Sequence, residues 1–163
     1  MARVAVLTAS DKGAAGERED VSGQTIARML LEAGHEIVRQ DIVSDDRALI
    51  AEHLRLWADM EICDVILTTG GTGLTPRDHT PEATRDIAER DVPGIPVALI
   101  MNGLQHTPYA ALTRGLAVTR GRTLIVNLPG SPRAVAQGMD VLLPLLGHVA
   151  ELLEGPLEHG QAT

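Results

Sequence analysis

The chain has 163 residues, a length typical of one domain, and 44% of them are hydrophobic, so it can bury a full core. Its net charge of −8 argues against a nucleic-acid surface, which requires a basic patch. No apolar run reaches the roughly 20 residues of a membrane helix, no signal-peptide pattern opens the chain, and Cys63 is the only cysteine. We therefore expect a cytoplasmic protein that binds neither nucleic acid nor membranes.

The first part of the chain alternates predicted strands and helices. Residues 3–8 form a short β-branched run typical of a strand, and a polar, glycine-containing loop is expected over 10–20. Ser22 is predicted to cap a helix that Gly34 terminates. Alternating polar and apolar residues over 35–43 predict the second strand.

The middle of the chain continues this alternation. Ser44 or Asp45 is predicted to cap the next helix, and residues 64–69 form an apolar run typical of a buried strand. A glycine-rich loop follows over 70–79. Thr80 is then expected to cap a helix that has proline at its first position and an acidic residue in its first turn.

The last part of the chain is less regular. The apolar run 97–101 is compatible with a helix or with a buried strand, whereas 116–118 and 123–128 predict two strands. The final helix is expected to begin after Gly130 and to kink at Pro144.

These elements predict one α/β domain over 1–155, followed by a frayed tail over 156–163. The expected architecture is three-layered, α/β/α, around a mostly parallel central sheet. Ligands of such sheets bind outside the carboxyl ends of the strands, so the loops after the strands should converge on one site. These loops are 10–20, 44–46, 70–79 and 129–132.

The segment Thr69-Gly-Gly-Thr-Gly73 is the strongest functional signal. Glycines directly after a buried strand allow close approach of a ligand to the backbone, although a tight turn without a ligand explains the pattern equally well. The segment lacks the Lys-Ser/Thr end of a P-loop and the spacing of a dinucleotide-binding fingerprint.

Together with Arg77-Asp78 and Thr80-Pro-Glu-Ala-Thr84, this segment closely resembles the molybdopterin adenylyltransferase family. That family includes the bacterial MogA and MoaB proteins and the G domain of gephyrin. Further matching segments span most of the chain in the expected order. They are Ser10-Asp11-x-Gly13, Asp20-x-Ser22-Gly23, Val43-Ser44-Asp45-Asp46 and Leu124-Ile-Val-Asn127-Leu-Pro129-Gly130-Ser131-Pro132.

The resemblance implies a molybdopterin-binding fold, commonly a homotrimer, and transfer of AMP from Mg-ATP to molybdopterin with release of pyrophosphate. It further implies handover of the product to a molybdate-inserting enzyme. The apolar stretch 97–104 is a candidate subunit contact. We weigh two alternatives: a catalytically inactive, molybdopterin-binding paralogue, and a molybdate-inserting protein of related fold. The second is disfavoured because such proteins usually carry long extra domains.

The resemblance also implies site residues. Asp45 and Asp78 correspond to the catalytic aspartates of the family and are predicted to hold Mg²⁺, a cation that prefers carboxylate and phosphate oxygens. Capping or turn roles remain alternatives for both, and Asp46 is an alternative to Asp45. The residues predicted to contact ATP or molybdopterin are Ser10, Asp11, Ser22, Gly23, Thr69, Gly70, Gly71, Thr72, Gly73, Asn127, Pro129, Gly130 and Ser131. Ser131 would alternatively serve only as a helix cap.

Overall fold

The computed structural model describes residues 1–155, so the predicted tail over 156–163 lies outside the described residues. Within that range, no helix is both long and apolar enough to cross a membrane. The elements in chain order are β1 (Arg3–Ala9), α1 (Asp11–Ala14), α2 (Val21–Glu32), β2 (Glu36–Val43), α3 (Arg47–Asp59), β3 (Val65–Thr69), α4 (Thr80–Ile87), β4 (Arg90–Asp91), α5 (Gly94–Leu104), a 3₁₀ helix (Pro108–Leu112), β5 (Ala117–Arg120), β6 (Thr123–Leu128) and α6 (Pro132–Leu153).

Six strands form a single mixed sheet in the order β2-β1-β3-β6-β5-β4. The strands β2, β1, β3 and β6 are mutually parallel, whereas β5 runs antiparallel to β6 and β4 antiparallel to β5. The prediction of a mostly parallel sheet is confirmed. Because these four strands are parallel, they end at the same edge of the sheet, where the loops that follow them meet.

Alternation along the strands sends apolar side chains to both faces of the sheet. Val4 and Val6 of β1 pack in a cluster with residues of α2, α5 and α6, whereas Ala5 and Leu7 pack with residues of α3 and α4. All four of these β1 side chains are fully buried. Helices on both faces give the three-layer architecture that the sequence predicts.

Two predicted helix caps are corrected by one or two positions. Asp20, not Ser22, caps α2, because its carboxylate accepts a hydrogen bond from the Gly23 amide at 2.9 Å. Asp46, not Ser44 or Asp45, caps α3 by accepting from the Leu49 amide at 2.9 Å. Aspartate and serine are both good caps, so local preference alone does not select among neighbours. The correction leaves the Ser22 and Asp45 side chains available for other partners.

The predicted cap of α4 is also wrong. Thr80 is the first helical residue, and His79 occupies the capping position without a side-chain hydrogen bond to the helix. The Thr80 hydroxyl is buried and has no hydrogen-bond partner among the described residues. Pro81 is therefore the second helical residue rather than the first, and its missing amide proton costs nothing in the first turn.

Other predictions are sharpened by the structure. The ambiguous stretch 97–101 lies within helix α5, and the predicted loop 10–20 contains the short helix α1, which Ser10 caps. Helix α6 continues through Pro144 to Leu153. Gly34 follows α2 with a φ of 82°, the left-handed conformation expected of a terminating glycine.

Asn127, predicted to contact a ligand, joins three segments through its buried side-chain amide. Its Nδ2 donates to the hydroxyls of Thr68 at 3.0 Å and Thr84 at 2.9 Å, and its Oδ1 accepts from the Leu116 amide at 3.0 Å. These bonds connect β3, α4 and the start of β5 to β6. They fix the elements that flank the glycine-rich loop.

Candidate functional site

The four loops at the carboxyl edge of the parallel strands enclose a cavity of about 560 Å³, which we call the polar cavity. Carboxylates from three of these loops face it, together with one basic side chain, Arg18. The predicted site residues that line it are Ser10, Ser22, Asp45, Thr69, Gly70, Gly71, Asp78, Gly130 and Ser131. Residues far apart in the sequence are therefore brought together, as the sheet topology requires.

A second cavity of about 490 Å³, the apolar cavity, adjoins the first. Side chains of α5 and the 3₁₀ helix, including Leu99, Ile100 and Leu112, contribute to its wall. Gly71, Asp78, Gly130 and Ser131 line both cavities. The predicted site residues that line only the apolar cavity are Thr72, Gly73, Asn127 and Pro129.

The turn that leads from β3 to the polar cavity requires glycine at two consecutive positions. Gly70 and Gly71 have φ values of 92° and 68°, which residues with a side chain rarely adopt. A Cβ on Gly70 would lie 2.4 Å from the Ala9 carbonyl oxygen, and one on Gly71 would lie 2.4 Å from the Thr80 hydroxyl oxygen. The backbone of this turn consequently packs more closely than any other residue type would permit.

Asp11 and Asp45 connect the loops after β1 and β2 by two reciprocal hydrogen bonds. The Asp11 amide donates to Asp45 Oδ2 at 3.0 Å, and the Asp45 amide donates to Asp11 Oδ1 at 3.0 Å. Arg77, in the loop after β3, donates to both oxygens of Asp11 at 2.8–3.0 Å. Three loops are thereby held in one arrangement around the Asp45 carboxylate.

The two aspartates of this arrangement have different electrostatic environments. The hydrogen bond from the Asp45 amide, followed by the contact with Arg77, holds the pKa of Asp11 below its ordinary value. Burial raises the pKa of Asp45, and the negative charges of Asp11 and Asp78 raise it further, although the Asp11 amide and Arg77 oppose them. Asp11 is committed to protein partners, whereas Asp45 faces the polar cavity as a partly buried carboxylate.

Asp78 is held by its own loop. Its Oδ2 accepts hydrogen bonds from the amide and the hydroxyl of Thr75, both at 2.9 Å. Its other carboxylate oxygen, like Oδ1 of Asp45, has no hydrogen-bond partner among the described residues. The predicted turn role and the predicted availability to a ligand therefore coexist in the same side chain.

The donor set of Asp45 and Asp78 fits Mg²⁺. Within residues 1–155, no three His, Cys, Asp or Glu side chains lie close enough to form a metal site of protein ligands alone. Magnesium in nucleotide sites is usually held by one or two carboxylates together with waters and substrate phosphates, so two partly free carboxylates in one cavity suffice.

Two helix N-termini meet at the polar cavity. The Ser22 hydroxyl in the first turn of α2 donates to the Gly130 carbonyl at 2.6 Å, and the Thr69 hydroxyl donates to the Pro129 carbonyl at 2.6 Å. Ser131 caps α6 by accepting from the Ala134 amide at 3.1 Å. The positive end of the α6 dipole favours an anion at this position, whereas the Asp20 carboxylate already occupies the N-terminus of α2.

All predicted site residues except Asp11 and Gly23 line one of the two cavities. Gly23 instead packs against Asp20 and Thr8, where a Cβ would lie 2.1 Å from an Asp20 carboxylate oxygen. Arg18 lines the polar cavity but was not predicted from the sequence. Arg18 follows no motif, but an isolated arginine between glutamates in a ligand-edge loop would have been a usable signal.

Residues 5–148 match the family described as "Probable molybdopterin binding domain". The chain belongs to this family. The predicted family resemblance is confirmed, and the matched range includes every loop of the polar cavity.

Individual relatives support the same membership. The chain is 36% identical over 154 residues to a molybdopterin adenylyltransferase of Helicobacter pylori J99, covering 93% of this chain and 88% of that protein. It is 42% identical over 149 residues to the molybdenum cofactor synthesis protein cinnamon of Drosophila melanogaster, of which it spans only 25%. The crystal structure of the molybdopterin biosynthesis enzyme MoaB from Thermus thermophilus superposes with a TM-score of 0.88 at 49% identity, covering 96% of this chain and 98% of that one.

The tight turn at Gly70 generates a prediction. Gly70→Ala and Gly16→Ala both place a side chain at positive φ, which costs about 1–2 kcal/mol, but only the methyl group added at position 70 would also meet a backbone carbonyl. We expect Gly70→Ala to lose at least about 1 kcal/mol more of the free energy of unfolding, as overpacking typically does. Urea denaturation measures the difference. Equal losses in the two variants would contradict the close packing of this turn.

Proposed function

We propose that this protein is a molybdopterin adenylyltransferase, a nucleotidyltransferase that moves AMP from ATP to the terminal phosphate of molybdopterin. The observation that carries the proposal is the meeting of Asp45 and Asp78, from loops after different strands, in one polar cavity beside two helix N-termini. Relatives named as molybdopterin adenylyltransferases, aligned over most of the chain, support it.

In the proposed reaction, a phosphate oxygen of molybdopterin attacks the α-phosphorus of ATP. The bond from the α-phosphorus to the bridging oxygen of the β-phosphate breaks, and pyrophosphate leaves with that electron pair. Asp45 and Asp78 would hold Mg²⁺, which neutralises phosphate charge when bound. Arg18 and the α6 N-terminus line the same cavity, where they would offset the negative charge of the phosphates. The reciprocal Asp11–Asp45 bonds keep the Asp45 carboxylate oriented, so less reorganisation precedes the reaction.

The adjoining apolar cavity suits a planar ring of one of the substrates. Its wall carries Leu99, Ile100 and Leu112, and the shared residues Gly71 and Asp78 place it next to the phosphate region. Apolar walls with a few polar groups are typical of small-molecule sites. Two substrates that must react with each other would thereby be held side by side.

A substitution of Asp78 tests the proposed chemistry. Asp78→Asn retains the size of the side chain and can still accept from Thr75, but it removes the negative charge that would hold Mg²⁺. We expect pyrophosphate release from Mg-ATP and molybdopterin to fall by at least about 10²-fold, as for removal of a principal electrostatic group. Circular dichroism and sedimentation should show unchanged folding and assembly.

Asp86→Asn is the matched control, because Asp86 is likewise a carboxylate that accepts two hydrogen bonds but lies outside both cavities. Unchanged turnover in Asp78→Asn would refute the role of Asp78. Binding of molybdopterin by calorimetry without any turnover in the unmodified protein would instead favour the alternative of an inactive, binding paralogue.

We also propose a homotrimer that acts in the cytoplasm and passes its product to a molybdate-inserting enzyme. The contact surface would be formed by α5 and the 3₁₀ helix. Val97, Met101, Leu104 and Leu112 on these elements are each about half exposed or more. Neighbouring exposed apolar side chains of this kind commonly mark protein interfaces.

The proposed contact surface predicts an effect on assembly. Met101→Glu places a charge in the middle of this surface, and we expect the sedimenting species to shift from trimer toward monomer. Leu31→Glu is a suitable control, because Leu31 is 61% exposed, similar to Met101 at 64%, but lies on α2. A monomeric unmodified protein at micromolar concentration, or an unaffected Met101→Glu trimer, would contradict the assigned surface.

A further inference from the structure

Arg114 lies between the 3₁₀ helix and β5 and forms a bridge to the glycine-rich loop. Its Nε donates to the Gly73 carbonyl at 2.8 Å, and one terminal nitrogen donates to the Asp78 carbonyl at 2.9 Å. Its other terminal nitrogen forms an ion pair with Glu82 in the first turn of α4. The Arg114 amide also donates to the Thr72 carbonyl at 2.9 Å. A single residue therefore contacts the loop on both sides of the turn at 74–77, at Thr72 and Gly73 before it and at Asp78 after it.

The turn that Arg114 bridges has few other contacts. Residues 74–77 are exposed, and Leu74 has 67% of its surface accessible. Among residues 1–155, the Asp78 carboxylate accepts hydrogen bonds only from Thr75, so these bonds do not fix where the turn as a whole lies. Its anchors to the rest of the molecule are the Arg77–Asp11 pair on one side and Arg114 on the other.

The Arg114 guanidinium suits this task because its fork directs several donors in one plane. Hydrogen bonds from a charged donor are stronger than those between neutral groups. Glu82 orients the guanidinium, and the contact with Arg114 holds the pKa of Glu82 below its ordinary value, so Glu82 remains ionised near neutral pH. A lysine at position 114 would supply the positive charge but not the planar set of N–H donors.

Arg114 lines neither the polar nor the apolar cavity, whereas Asp78 lines both. We propose, on the basis of the function proposed above, that Arg114 is a positioning residue that fixes the Asp78 carboxylate for the transfer reaction without touching either substrate. Its neighbours Thr113 and Gly115 line the apolar cavity, so the residue also connects that wall to the loop that carries Asp78.

Arg120 provides a matched control within the same chain. It forms a bidentate pair with Asp59 and donates to the Ile87 carbonyl at 3.0 Å, and its side chain is 24% exposed, compared with 33% for Arg114. Arg120 lies at the far end of β5 and lines neither cavity. Replacing Arg114 by methionine removes an ion pair and two bonds to backbone carbonyls, and replacing Arg120 removes an ion pair and one such bond. Only the bonds of Arg114 hold the loop that carries Asp78.

The first measurement is the pyrophosphate-release rate of Arg114→Met, Arg114→Lys and Arg120→Met. We expect kcat to fall at least about tenfold in Arg114→Met, because small displacements of a positioned group have large effects on rate, with little change in KM for molybdopterin. Arg114→Lys should recover only part of this loss. Arg120→Met should lower the melting temperature about as much as Arg114→Met does, but it should retain the kcat of the unmodified protein.

The second measurement needs no substrate. Amide hydrogen exchange of Thr75 and Asp78 should be at least about tenfold faster in Arg114→Met than in Arg120→Met, because the two bonds that protect these amides should open more often once Arg114 no longer restrains both ends of the turn. Unchanged exchange there would overturn the inference, and so would an unmodified kcat in Arg114→Met. An unmodified protein without turnover would refute the proposed function instead, and hydrogen exchange would then decide the role of Arg114 alone.

Discussion

The direction of the parallel strands is the constraint on which the site depends. Because β2, β1, β3 and β6 run in the same sense, the loops that follow them leave the sheet at one edge. Those loops carry polar side chains and glycines, whereas the strands β1, β3 and β6 are buried between helices. Hydrogen bonds between loops then convert a common edge into a defined cavity, since Asp11, Asp45 and Arg77 restrain three of them relative to one another.

The site combines groups that are costly to hold together. Asp45 and Asp78 repel each other, and burial disfavours the charged form of Asp45. The fold tolerates this arrangement because amides, hydroxyls and arginines offset part of the charge. A divalent cation and the phosphates that accompany it would complete the compensation, which is the electrostatic logic of the proposed function. The same logic assigns supporting roles to Asp11 and Arg114, whose side chains contact the loops rather than the cavities.

Much of the fold could be predicted from the sequence, because the spacing of apolar residues and the glycines at the ends of elements match most of the observed helices and strands. The strands around Val6, Leu67 and Val126 were recognisable as buried runs of limited length. Errors occurred where several adjacent residues could serve the same local purpose, as with Asp20 and Ser22 at the start of α2. Only the tertiary bond from Ser22 to the Gly130 carbonyl shows which purpose each one has.

The site was predictable to the extent that motifs record it, and Asp78 lies in the most specific of them. The partnership of Asp11 with Arg77 was not predictable, because it joins residues 66 positions apart through an exposed ion pair.

A crystal structure with Mg²⁺ and a non-hydrolysable ATP analogue tests the central claim most directly. We predict metal density contacting Asp45 and Asp78, with the phosphates beside Gly70–Gly71 and the α6 N-terminus. A nucleotide bound elsewhere, or a metal ion held without either carboxylate, would contradict this account.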